Sequence, residues 1–209
     1  MTQLEFRRSS EQVALRAAED GASAHFSGFA CVYDFWYDVA GGPERGGWSE
    51  MVAAGAGTAT LKRRPDVRLL VNHDGIPLAR TSRQTMTLDE QQRGLYVDAP
   101  ELDLRRSPLV QSVHSAMDRG DMDEMSFAFR VDAQEWNGDY TERIILGYDL
   151  AVKGADVSIV TYPANDATVA QMRTAAQIDE LRAAVACGLD VRVARHIVDR
   201  IRESSLVPA

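Results

Sequence analysis

Between Glu124 and Val131, apolar and polar positions alternate with a period of two. Met125, Phe127, Phe129 and Val131 share one face; Ser126, Ala128 and Arg130 share the other. This pattern predicts a strand that carries one hydroxyl beside a small residue and a cation, with an apolar ladder behind. Upstream, Val67–Val71 is apolar at almost every position, as in a strand buried on both faces. It runs into the turn residues Asn72-His73-Asp74-Gly75. Further strands are predicted near Leu4–Arg8, Val13–Ala17 and Ala24–Tyr33. A hairpin is predicted from residues 83–88 and 93–99 around a polar turn, Asp89-Glu90-Gln91-Gln92. After a turn at Trp136-Asn137-Gly138-Asp139-Tyr140, residues 141–152 return as a strand, and Ala155–Tyr162 is a last one, stopped by Pro163.

Helical spacing occurs in three places. Ser107-Pro108 is a helix start, with serine as N-cap and proline at the first position; Leu109, Val113, Ala116 and Met117 follow, and Gly120 stands where a glycine cap belongs. Met51-Val52-Ala53-Ala54 predicts a short helix broken at Gly55 and Gly57. Beyond Ala170, one amphipathic helix carries Ala175, Ile178, Leu181 and Val185. A second, capped by Asp190, carries Val191, Ala194, Ile197, Val198 and Ile201. Gly41–Gly47 reads as a flexible loop, with a substrate-facing flap as the alternative; without a following Gly-Lys-Ser/Thr its glycines make only a weak nucleotide signal. The expected class is α+β, mainly β. Residues 1–21 form an N-terminal extension or first strand, 22–170 the main domain, and 171–209 a helical C-terminal segment.

The chain has 209 residues and is 45% hydrophobic, enough for one domain of about 150 residues with extra segments. Its formal net charge of −8 argues against nucleic acid or an anionic membrane as the main partner. Cys31 and Cys187 are too few and too far apart for a disulfide framework or a zinc cluster, which fits a reducing cytoplasm. Met1–Arg8 lacks the apolar core of a signal peptide, and no apolar run approaches the ~20 residues of a membrane span. The expectation is a soluble protein without cofactor or metal.

A histidine at a strand end, followed by turn residues, can reach a serine on a neighbouring strand. His73 and Ser126 therefore read as a base and nucleophile pair. A serine hydroxyl is a poor nucleophile until a positioned base takes its proton, and imidazole suits that task near neutral pH. A third group, usually a carboxylate, fixes the imidazole tautomer. Arg130 shares the face of Ser126 but lies about 13 Å along the strand, too far to be assigned to an oxyanion hole. His25, His114 and His196 stand alone; a zinc site wants three or four ligands, and His73-Asp74 offers two. Ser112, on a helix without a nearby base, and Ser158, in a buried-looking strand, are reference serines.

Four stretches together resemble the prohead maturation proteases of tailed bacteriophages: Val67–Asp74 ending in Asn-His-Asp, Arg93-Gly94-Leu95, Gly120 leading to Met125-Ser126-Phe127, and Asp156–Val160 before Pro163-Ala164. The resemblance covers about residues 22–168. It implies a serine endopeptidase with a herpesvirus-assemblin-like fold, a β-barrel ringed by helices. It also implies that His73 and Ser126 are catalytic, with Asp156, the acidic residue before Val-Ser, as the third member. Asp156 stands where glutamate is expected, and Ala79 and Ala128 where glycine is common; Glu142, Asp149 and Asp74 are rival carboxylates. Such an enzyme acts inside the procapsid in the host cytoplasm. It cleaves a scaffold protein or the scaffolding domain of the major capsid protein precursor, and then itself, with self-association as a further contact. Residues 171–209 are then an assembly segment or are removed by self-cleavage. The alternative is an inactive assembly or scaffolding protein that keeps the fold without turnover.

Overall fold

The structure, a computed structural model, describes residues 4–9 and 13–161. The expected C-terminal helices, the boundary near residue 170, Pro163, Cys187 and His196 lie outside the described residues. These fall into two compact units. The larger takes residues up to Phe35, then Met51–Glu135 and Ile144 onward; the smaller takes Trp36–Glu50 and Trp136–Arg143.

In the larger unit, β10 (Glu124–Trp136) organises one sheet. On one edge β1 (Glu5–Ser9) pairs with it antiparallel, Arg8 opposite Ser126 and Phe6 opposite Ala128. On the other edge lies β12 (Asp156–Val160), also antiparallel, with Ser158 opposite Ser126 and Asp156 opposite Ala128. β6 (Arg68–Val71) runs parallel to β12 and turns back as β7 (Asp74–Arg80). The second sheet has the order β2 (Ala14–Ala17), β3 (Ser23–Val32), β9 (Gly94–Asp103), β8 (Thr87–Gln91).

The predicted ladder of β10 is the centre of the core. Met125, Phe127 and Phe129 are wholly buried, with Phe26, Leu95 and Val97 of the second sheet and Val157 and Ile159 of β12 in the same cluster. The rings of Phe127 and Phe129 stack with centroids 4.2 Å apart, and Tyr148 of β11 (Glu142–Asp149) meets both edge-on. Each such side chain contributes about 1.5–3 kcal/mol by leaving water. The expected helix start is present: Ser107 accepts from the Val110 N–H at the head of α2 (Pro108–Asp118). Gly120 (φ 75°) closes it, its N–H on Met117 O and that of Asp121 on Ala116 O.

Three expectations need correction. Met51 and Val52 are not helical: they finish β5 (Trp48–Val52), and the helix, α1 (Thr58–Lys62), starts beyond the glycines. The alternation of β5 is hidden in the sequence because its inward positions include Glu50, buried against Arg143. The hairpin between β8 and β9 turns at Gln92-Arg93, so Asp89–Gln91 are strand residues. The half-buried Glu90 carboxylate accepts from Gly57 N–H at 2.9 Å, Tyr33 O–H at 3.2 Å and the Thr58 hydroxyl. Tyr33 in turn meets Tyr148, hydroxyl to hydroxyl, at 2.9 Å. Finally, among the described residues the strands do not close into the expected barrel and no ring of helices surrounds them. The end strands of neither sheet pair with each other, and β7 suits a free edge because Pro77 has no N–H to donate.

In the smaller unit, β4 (Tyr37–Val39) pairs with Trp48–Glu50 over a cluster of Val39, Trp48 and Tyr140. Glu50 accepts from Tyr37 O–H at 2.6 Å, Trp48 Nε1 at 3.2 Å and Arg143 at 2.9 Å. The predicted loop at Gly41–Gly47 is present, and Gly47 is required there: a Cβ would lie 2.0 Å from Val39 O.

Candidate active site

Asn72 and His73 are the two-residue turn joining β6 to β7, with Val71 opposite Asp74. Both have positive φ, 53° and 59°, the conformation that matches a tight hairpin to strand twist. Asparagine tolerates it. A histidine held there costs about 1–2 kcal/mol, which surrounding contacts must offset. They do so from β12 and the residue after it. Asn72 donates through Nδ2 to Thr161 Oγ1 and accepts the Thr161 N–H on Oδ1, both at 2.9 Å, and its own N–H reaches Ile159 O at 3.0 Å. The His73 N–H donates to Ser158 Oγ at 3.1 Å.

From that clamped turn the imidazole spans two strands. Its Nε2 lies 2.7 Å from Ser126 Oγ and its Nδ1 2.7 Å from Asp156 Oδ1. A carboxylate can only accept, so Nδ1 carries the ring proton and Nε2 is free to accept the serine hydroxyl. The Ser158 hydroxyl donates to the same Asp156 Oδ1 at 2.6 Å while it accepts the His73 N–H. Ring and carboxylate are thus held by one shared hydroxyl. Ser126 and Ser158 have no exposed surface, and only 19% of the His73 side chain is exposed. Phe6 of β1 sets its ring edge against the imidazole, centroids 4.8 Å apart. Two residues before Ser126, Glu124 Oε2 is buried without a hydrogen-bond partner among the described residues, 3.7 Å from Arg8 Nε.

The rival carboxylates point elsewhere. Asp149 accepts from Arg63 at 2.6 Å and Arg130 at 2.7 Å, which also removes Arg130 from the site; Asp74 accepts the Gly75 N–H, and Glu142 lies beside Asn137. His25 pairs with Asp98 at 2.6 Å on an exposed strand face, and His114 with Asp118 one helical turn on. Ser112 donates to Pro108 O. Among the described residues no three His, Cys, Asp or Glu side chains gather as a cation would require, and no helix is long and apolar enough to cross a membrane.

The sequence of residues 11–183 matches the caudovirus prohead serine protease family. The chain belongs to this family. Among solved structures it is similar to the capsid assembly protease of bacteriophage T4, gp21, with 12% identity, a TM-score of 0.45, and 75% of this chain and 97% of that one covered. No curated protein matches. Family membership carries serine-protease chemistry.

Sequence reading missed Ser158, Asn72 and Phe6. A signal existed for Ser158, since Asp156 and Ser158 share a strand face by the period of two. For the other two, strand register decides, and no local pattern records it.

Proposed function

We propose that this chain is a prohead maturation endopeptidase in which Ser126 is the nucleophile, His73 the general base and Asp156 the group that orients it. The observation carrying this reading is the unbroken hydrogen-bond chain Asp156–His73–Ser126 in a member of a serine protease family. Ser126 Oγ adds to the scissile carbonyl carbon as its proton passes to His73 Nε2, and the carbonyl electron pair moves to oxygen. Collapse of that intermediate breaks the C–N bond, the leaving amine taking the proton back from Nε2. Water then attacks the acyl-serine by the same route, releasing the new carboxyl terminus and restoring Ser126. Asp156 keeps the ring proton on Nδ1 and stabilises the imidazolium that forms.

The substrates on this reading are a scaffold protein or the scaffolding domain of the capsid protein precursor, met inside the procapsid in the host cytoplasm, and the chain itself. Residues 171–209 would dock on the precursor and be shed by self-cleavage. The fold would be a variant of the assemblin type. The decisive experiment is labelling with a fluorophosphonate probe followed by peptide mapping. The label is expected on Ser126 and absent from Ser126→Ala. A folded wild-type protein that takes no label after co-expression with its capsid protein, and leaves scaffold uncut, would instead be the inactive assembly protein.

A further inference from the structure

Asp149, at the end of β11, is a buried carboxylate that meets more positive charge than it needs. Its Oδ2 accepts from Arg130 Nη2 at 2.7 Å. Its Oδ1 accepts from Arg63 Nη2 at 2.6 Å, the Ala151 N–H at 2.8 Å and the Thr60 hydroxyl at 3.4 Å. One arginine would neutralise it, so the group Arg63–Asp149–Arg130 keeps a net positive charge. Both cations reach solvent: the side chains of Arg63 and Arg130 are 48% and 34% exposed. A guanidinium carries five N–H donors, and each of these directs one at Asp149, which leaves outward donors on both. The backbone of Arg63 is fixed, its N–H on Thr60 O at the end of α1. Lys62 and Arg64 are exposed on either side of it, on a chain whose formal net charge is −8.

This cluster lies in line with the proposed nucleophile. Ser126, Ala128 and Arg130 share one face of β10. The pairing of β12 reaches Ala128 and that of β1 reaches Phe129, so Arg130 is the first residue of that face beyond both neighbours. Four residues along a strand, at ~3.3 Å each, put it about 13 Å from Ser126. Resting on the assignment of Ser126 above, we propose that Arg63 and Arg130 form a subsite for a carboxylate side chain, Asp or Glu, of the protein substrate. In an extended peptide running along β10, that side chain stands about four residues from the bond that is cut. The two arginines touch no reacting atom; they are specificity residues. Their planar forks match the two oxygens of a carboxylate. Elsewhere the acidic chain repels an acidic segment, so the subsite anchors it at one place. It also sets register, because a slip of one residue turns the acid to the opposite face of the peptide.

The test uses the full-length chain and Arg63→Gln, which leaves Arg130 to neutralise Asp149. A random peptide library is digested, and the product termini are read by mass spectrometry. Asp and Glu are expected to be enriched about three to five residues to one side of the cut, and the enrichment to vanish in Arg63→Gln. Arg63→Glu should favour Lys and Arg there instead. Binding is read separately by fluorescence anisotropy on Ser126→Ala protein, which cannot consume the probe, with Glu/Ala and Gln/Ala nonapeptides. The Glu peptide is expected to bind about fivefold tighter, and the two to bind equally once Arg63→Gln is added. Cuts indifferent to acid in that window, or an acid preference that Arg63→Gln leaves intact, would overturn the subsite. So would equal binding of the two peptides by a protein that cuts nothing. Glu-dependent binding that Arg63→Gln abolishes, with no cut and no fluorophosphonate label in the wild type, would keep the subsite and remove Ser126 as nucleophile.

Discussion

Ser126 and Ser158 face each other across two strands, yet their hydroxyls have different partners. Ser126 meets a ring nitrogen; Ser158 meets a backbone N–H and a carboxylate. Ser126→Ala should therefore lower peptidase kcat/KM by several orders of magnitude with little change in Tm. Ser158→Ala should leave the part-buried His73 N–H and the Asp156 carboxylate without their hydroxyl partner, costing about 1–3 kcal/mol in denaturant titration, and lower the rate less than Ser126→Ala does. Equal rate losses would give Ser158 a direct part in the chemistry. Asp156→Asn should cost about 10⁴ in kcat, because an amide permits the wrong ring tautomer; a loss under tenfold would return the role to another carboxylate. Ser158 is thus no neutral reference serine. In the sequence it looked inert because its partners are set by the register of β12 against the His73 turn, and residue type does not encode register.

The element that matters most is the hairpin of β6 and β7, because its two-residue turn presents the imidazole. Asn72→Ala keeps the positive φ but loses both the tolerance for it and the clamp to Thr161. It should cost about 1–2 kcal/mol in stability and lower kcat more than it raises KM. Asn72→Gly should recover stability and only part of kcat, since the turn is relieved but still unclamped; full recovery in Asn72→Gly would show that the clamp is idle. At this scale the sequence was readable where alternation was pure, as in β10, and where capping residues were present, as in α2. It misled where an acid on a strand is satisfied from far along the chain: the partners of the buried Glu50 and the half-buried Glu90, Arg143 and the Gly57–Thr58 corner, are distant in sequence.

For the whole molecule, the proposed chemistry predicts a particle phenotype. Co-expressed with its capsid protein, Ser126→Ala should give closed particles that retain uncut scaffold and full-length protease, whereas wild type should give particles lacking both, as read by mass spectrometry. Mature particles from Ser126→Ala would end the serine mechanism. Truncation after Ala170 should spare peptide hydrolysis and impair incorporation; an insoluble product would make those residues part of the protease core.

The two tyrosines that meet above Gly57 give the larger unit a built-in alkaline indicator. Burial pushes the phenols of both Tyr33 and Tyr148 far above the usual tyrosine range. An unfolded chain ionises its tyrosines near pH 10. The folded state holds those two protons longer, so their contribution to stability is full below about pH 10 and shrinks with each further unit of base. Followed at the phenolate absorbance band, an alkaline titration should show these two phenols ionising together in one cooperative step that coincides with loss of circular dichroism. In Tyr33→Phe that step should shift and shrink by one chromophore. Two phenols that titrate smoothly while the dichroism is unchanged would mean that water already reaches the seam.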